Sequence, residues 1–588
     1  MLLNRLFLEN LDFKGLQMTQ IIIGIFIVFT FNSYAVEPDW SKTAELSGET
    51  ICEEINGHEV CLSNGNRENI YELEDDELQK AIELGGQYTL NYPVDVTRLR
   101  LPKDAMDKFF ESDSRSALRR FIFNVAKKLT QFESFNDVFT WLGLHDYPTK
   151  ISEIGPNPIP SMGSLEQYPM GVSVFNNNGH ESMSFSCAAC HSSNLFGVKV
   201  LGLTNRFPKA NEAFILGKSL LSNTPSFMFQ LLVGPSKHDL KVFDIAKEAI
   251  NYVEVKKPLA LGLDTSLAQV GLSLSLRGVD EYATKIKNAK PRFSQLRNTP
   301  ADSKPAVWWN LKYKTKWLSD GSIDSGNPVH TNFLWNEIGR GVDLKELENW
   351  LDHNKNKVRD LTAYVFQTKA PKYNDFFPGK IDIEKAKRGE KLFLQNCKGC
   401  HGVYNKNWSN ENSDSLSYEQ MIETKEVWYH KSTINVDVGT DPLRARGMNY
   451  FYKDLNRLKI SKSIGTVVNP KNGYTPPPLV GIWARWPYFH NNSVPTLYDV
   501  LTPDFLRPKS YIAVPADDQF IDFDHVKNGY PRPDLVREPY RTDKDYFFNN
   551  STKGLSNFGH TKMMLNEEGS EKFDHIEKLE IIEFLKTL

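Results

Sequence analysis

Two short runs of this chain have residue types and spacing suited to one chemistry: Cys187-Ala188-Ala189-Cys190-His191 and Cys397-Lys398-Gly399-Cys400-His401. One helical turn sets the paired thiols where they can add to the two vinyl groups of a single porphyrin. The adjacent histidine then reaches the iron as an axial ligand. Cys187, Cys190 and His191, with Cys397, Cys400 and His401, therefore predict two covalently attached haem c groups, each with its iron. Other uses of CxxC fit less well. A zinc ribbon sets its pairs ~15 to 20 residues apart, and these lie roughly 200 apart. A thioredoxin-like redox pair needs no histidine after its second cysteine.

What each site does then depends on the far side of its iron. A second protein ligand means electron transfer, and an open position means ligand chemistry. Of the 13 histidines, His490 and His560 stand out, because both fall between the second CxxCH and the closing helix, the stretch that brings a distal ligand back to the haem in a cytochrome c domain. His180, shortly before Cys187, is the rival ligand for the first site, in the loop-like context Asn176-Asn177-Asn178-Gly179.

Helices must hold these groups in place. Leu118, Phe121, Val125, Leu129 and Phe132 recur at three- and four-residue steps over 116–132, with Arg119, Arg120, Lys127 and Lys128 on the other face. The Gly/Pro/Asn-rich stretch 155–179 reads as loop leading into the first CxxCH. A helix over 358–367 stops at Ala370-Pro371, and another begins near Ile383 and runs into the second CxxCH. The chain closes in a helix over 576–588, with apolar residues at 576, 579, 582, 585 and 588. The fold class expected is mainly α: two tandem cytochrome c-like haem domains with long loops and an N-terminal extension. The boundaries read as a leader 1–35, an extension 36–115 packed over the first haem domain, a first haem domain 116–375 and a second 376–588.

The 588 residues carry a net charge of −3, with 40% hydrophobic and 12% aromatic residues. That is a globular composition, and its charge balance asks for neither nucleic acid nor an anionic membrane. The apolar run 21–31 followed by Ser33-Tyr34-Ala35 reads as an export signal, too short to span a bilayer. An uncleaved anchor is the alternative reading. The expected location is periplasmic or secreted, without stable membrane insertion. Cys52 and Cys61 stand apart from the haem cysteines and flank a turn at Gly57, which predicts a disulfide in an exported chain.

Gly481-Ile482-Trp483-Ala484-Arg485-Trp486-Pro487-Tyr488-Phe489-His490-Asn491-Asn492-Ser493-Val494-Pro495-Thr496-Leu497 resembles a signature of the bacterial di-haem cytochrome c peroxidase superfamily. The branch it is most similar to is that of the di-haem rubber oxygenases. Val438-Gly439-Thr440-Asp441-Pro442 and Gly559-His560 add to that likeness. The chain departs from the pattern at Trp486, at Asn492, and at His525, which reads as a surface residue where a proline is common. The resemblance implies a C-terminal haem held by His401 and His560, with His490 beside it. It also implies an N-terminal haem held by His191 with a side open to peroxide or dioxygen. Aromatic relays between haems are part of it, with Trp309 of Trp308-Trp309 in the matching stretch; plain core packing explains that pair equally well. Calcium between the haems would also follow, though no ligand cluster marks it. The partners implied are a small redox donor protein or an apolar organic substrate. A plain electron-transfer cytochrome is the competing function, and a sensor a more distant one.

Overall fold

The computed structural model describes residues 37–588 except 42–45, 56, 111–116, 131, 178, 278–290 and 411–412. The leader 1–35 lies outside them. The structure corrects the expected fold class: it is 43% helix and 14% strand, a mixed α/β architecture with several small sheets. The strands escaped notice because they are two to seven residues long and sit between glycine and asparagine turns. Part of the stretch read as loop is strand Val172–Asn177, which pairs with His180–Phe185 just before Cys187. Ser192–Leu195 and Val198–Leu201 form a hairpin just after His191. Its two turn residues, Phe196 (φ 54°) and Gly197 (φ 91°), have the positive φ that a two-residue hairpin needs.

Two close helix crossings frame the sites. Helix Ile383–Asn396 starts at Asp382, whose side chain accepts from the Lys385 amide, and packs on the closing helix His575–Leu585. The axes approach so closely that a Cβ on Gly389 would run into the Glu580 carbonyl. The same device recurs upstream. Helix Asp75–Leu90 packs on Lys355–Gln367, with Gly85 against the Asp360 carbonyl and Gly86 against the Tyr364 ring. The acidic Asp75, Asp76 and Glu77 occupy the first turn of that helix, where they complement its dipole.

The helix partnering Lys355–Gln367 is thus Asp75–Leu90, from the stretch read as an extension. Helix Ala117–Thr130 does form, but its expected apolar face is not a core face throughout: Phe121 is exposed and Phe123 is buried. The side chains of Leu118, Val125 and Leu129 lie outside those described. In the closing helix, Ile576 is exposed while Ile581, Ile582, Phe584 and Leu585 are buried.

The two largest of four hydrophobic cores among the described residues each draw on both halves of the chain. One gathers the helices Ser266–Ser275, Pro328–Gly339 and Lys355–Gln367, and also Met448, Phe451 and Ile460 from far downstream. The other surrounds Phe393, Phe584 and Trp483, and takes in Leu195, Val200 and Trp309 from upstream.

The hairpin Thr50–Ile55/His58–Ser63 carries the disulfide Cys52–Cys61 between directly opposed residues. Its second strand pairs with Thr424–His430, which in turn pairs with Val403–Lys406. This part of the N-terminal stretch therefore covers the second CxxCH, with Ile55 against Gly399 and Glu53 paired to Lys398 at 2.6 Å. No helix among the described residues is long and apolar enough to cross a membrane.

Candidate haem sites

The first attachment sequence follows strand His180–Phe185 and makes one turn of helix, Ala188–His191. That turn puts Cys187, Cys190 and His191 in the wall of one cavity of about 550 Å³. The Nδ1 of His191 donates to the Ala306 carbonyl at 2.8 Å, since that oxygen can only accept. Nε2 is left as the free donor atom, in the way a metal-bound histidine is usually oriented. Burial pushes the His191 pKa down to about 4, so the ring is neutral, the form that ligates metal. Burial also pushes the thiols up, Cys187 to about 11 and Cys190 to about 12, which disfavours a thiolate role in redox exchange.

Among the described residues, elements before residue 375 bring no histidine other than His191, and no methionine, to the cavity wall. They bring Phe214, Leu267, Val270 and Trp335 instead. His180 is elsewhere: its ring stacks on His238 at 4.8 Å and does not line the cavity.

The second attachment sequence leaves helix Ile383–Asn396 and makes the turn Lys398–His401. Gly402 (φ 79°) reverses the chain against the Trp428 carbonyl, where a Cβ would collide. His401 Nδ1 donates to the Pro477 carbonyl at 2.9 Å, repeating the arrangement of His191. Burial pushes His401 down to about 4 and His560 to about 3, the latter with help from His401 and Arg507.

The His401 and His560 ring centroids are 6.2 Å apart with planes 14° from parallel. Two imidazoles holding one metal from opposite sides, at about 2 Å per metal–nitrogen bond, would have centroids about 6 Å apart. His560 sits at φ 66°, a left-handed conformation rare for a side chain with a Cβ and found where function over-determines the backbone. Its amide donates to Val438 O at 2.8 Å, its Nδ1 has no partner among the described residues, and Phe489 lies parallel to its ring at 5.4 Å.

His490 lines the same cavity but stacks on Tyr474 at 4.1 Å rather than opposing His401. Its carbonyl accepts from the Lys304 amide at 2.7 Å, which ties it to the segment beside the first site. Trp309 is fully buried, does not line the cavity, and donates from Nε1 to the Val480 carbonyl at 2.9 Å. Its neighbour Trp308 is the member of the pair next to His191, with centroids 5.1 Å apart. His525 is not a surface residue. It is half-buried between Phe377 and Tyr373, with Nε2 on the Gln519 carbonyl at 2.8 Å. Packing among aromatics accounts for a ring that sequence context placed in solvent.

The wall residues fit haem: at each site two thiols one turn apart, an oriented neutral imidazole, and an enclosed, largely apolar space. Among the described residues the one cluster of three or more His, Cys, Asp or Glu side chains with metal-site spacing is Cys52, Glu59 and Cys61, whose cysteines are already joined. Neither CxxC pair forms a zinc-type cluster, and no calcium cage of acidic side chains is seen among those residues.

Residues 473–512 match the family described as RoxA-like, cytochrome c-like. That stretch contains His490, Arg485 and the Pro477 carbonyl that orients His401. A cytochrome c-like domain is one that carries covalently attached haem c, so the class this region points to is a haem-binding cytochrome. The particular likeness is to RoxA-like cytochromes, over that one region. Two curated relatives, both from Sinorhizobium fredii, are similar over longer stretches. One, named "Uncharacterized protein y4iJ", is 27% identical over 266 residues, covering 37% of this chain and 41% of that protein. The other, "Uncharacterized protein y4iM", is 26% identical over 162 residues, covering 26% of this chain and 35% of that protein. The chain thus spans less than half the length of either relative.

Proposed function

We propose that the protein is an exported oxidoreductase with two covalent haem c groups, in which peroxide or dioxygen reacts at the His191 site and electrons pass through the His401 site. The observation that carries this reading is the asymmetry of the cavity: His560 faces His401, whereas His191 has no such counterpart among the described residues. When bound, haem would supply oxidant-reactive iron where His191 alone holds it, and a one-electron store where His401 and His560 both do. The Ala306 carbonyl fixes the ring orientation of His191. Phe214, Leu267, Val270 and Trp335 make an apolar wall that would hold back water and admit an apolar organic substrate. Trp309 ties the segment beside His191 to the segment that orients His401, and is the proposed route for electrons between them. His490 is proposed as a neighbour of the second haem, not its ligand. The Cys52–Cys61 disulfide supports a periplasmic or secreted location. A small redox donor protein is the expected partner if peroxide is the oxidant.

Steady-state turnover tests the reading. Holoprotein with a reduced one-electron donor should consume peroxide, or with a polyisoprene emulsion should consume dioxygen. His191→Gly should lower the rate more than about 100-fold, roughly 2.7 kcal/mol of barrier. Wild-type protein that carries both haems and consumes neither oxidant would contradict it and leave an electron-transfer cytochrome.

A further inference from the structure

The cavity wall is strongly cationic where the two sites meet. Lys304, Lys314, Arg340, Arg444 and Arg485 all line the cavity, whereas Asp264 is the one lining carboxylate among the described residues. Arg340 and Arg444 have buried partners, Glu337 at 3.5 Å and Asp320 at 3.0 Å. The other three have no carboxylate within ion-pair distance among the described residues. Lys304 Nζ donates only to the backbone carbonyls of Arg485 (3.0 Å) and Pro487 (2.5 Å). The Arg485 guanidinium makes one long contact, Nη1 to the Pro478 carbonyl at 3.5 Å, and its buried Nε has no partner. Lys314 makes no side-chain hydrogen bond within the chain among the described residues; burial and the Arg485 charge hold its pKa down to about 8, against a weaker pull from Asp320, which is itself paired to Arg444.

Three basic side chains on one cavity wall, none with a carboxylate in ion-pair contact among the described residues, favour a bound anion, which would restore the charge that burial takes from the two lysines. Something anionic belongs among them. Position says what. Lys304 lies two residues from Ala306, whose carbonyl holds His191, and Arg485 lies in the segment whose Pro477 carbonyl holds His401. The cations therefore sit at the seam between the proposed haem positions. Each haem c brings two carboxylates, on the ring edge remote from the thioether links.

Resting on the two-haem reading above, we propose that Lys304, Lys314 and Arg485 form a carboxylate-binding seam that would take haem propionate groups. The same groups then set haem orientation, and their positive charge favours the reduced state of each iron. A small free carboxylate is the other source of this chemistry.

The test uses purified holoprotein, with two haems per chain established first by pyridine haemochrome, so that failure of the two-haem reading is recognised separately. Optical redox titration of Lys314→Gln and Lys304→Gln should give lower midpoint potentials, by roughly tenfold in the reduction equilibrium (about 60 mV for one electron). Lys314→Arg, which keeps the charge, should stay near wild type. Full haem content with unchanged potentials in both glutamine variants would overturn the proposal. Wild-type resonance Raman needs no variant: its propionate-bending bands should lie where ion-paired propionates do, and bands of solvated propionates would overturn it. Added sodium acetate at constant ionic strength should leave the wild-type potentials unmoved. A shift that saturates with acetate and vanishes in Lys314→Gln would assign the seam to a free carboxylate instead.

Discussion

Exported protein carrying Cys397→Ala with Cys400→Ala should retain one covalently bound haem where wild type has two, read by haem-stained denaturing gels and by pyridine haemochrome per mole of chain. Both thiols of the second unit lie in the cavity wall beside His401, and neither has another bonding role among the described residues. Losing a haem from this position also empties the space between Phe393, Leu479, Ile482 and His560. The expected structural consequence is large, since unfilled apolar volume costs ~24 cal/mol per Å³. The upstream unit belongs to the other core, which holds Ala188 together with Leu90, Leu361 and Tyr364, and should still be processed. Two haems in the double variant would mean that the Cys397–Cys400 pair is not an attachment site.

Replacing His560 should change the spin state of one haem and leave the other alone. His560→Gly is the variant of choice, because glycine accepts the φ of 66° that an alanine would hold under strain. The parallel rings of His401 and His560 at 6.2 Å predict a low-spin iron between two imidazoles. Without His560 that iron should turn largely high-spin, and added imidazole, entering the space the side chain leaves, should restore the low-spin spectrum. His490→Gly is the contrast: its ring stacks on Tyr474 and should not be needed for the low-spin state. A low-spin spectrum that survives His560→Gly and is lost in His490→Gly would reverse the assignment.

The attachment units were legible because thioether chemistry dictates residue type and spacing together, independent of fold. The placement of His560 opposite His401 was legible only through its motif, since a histidine after a glycine carries no local signal of a ligand. The helix Asp75–Leu90 was not recognised because two adjacent glycines in its middle oppose helix formation by propensity. Their use, letting the Lys355–Gln367 backbone come close, is a tertiary fact. The short strands were hidden for a related reason: six residues such as Val172–Asn177 alternate too briefly for a period to emerge. Lys304, Lys314 and Arg485 were passed over because isolated basic residues in a balanced sequence read as solvated. Only their place on an enclosed wall marks them. His525 shows the converse, a histidine that context put on the surface and that packing against Phe377 and Tyr373 leaves half-buried.

The central claim is that one iron is open and the other closed, and carbon monoxide counts open ferrous sites directly. Titrating dithionite-reduced holoprotein with carbon monoxide, and following the Soret band, should give one molecule bound per chain. That binding should be lost or grossly altered in His191→Gly, while His560→Gly should raise the count to two. No binding by the wild-type protein, or two molecules bound per chain, would contradict the account.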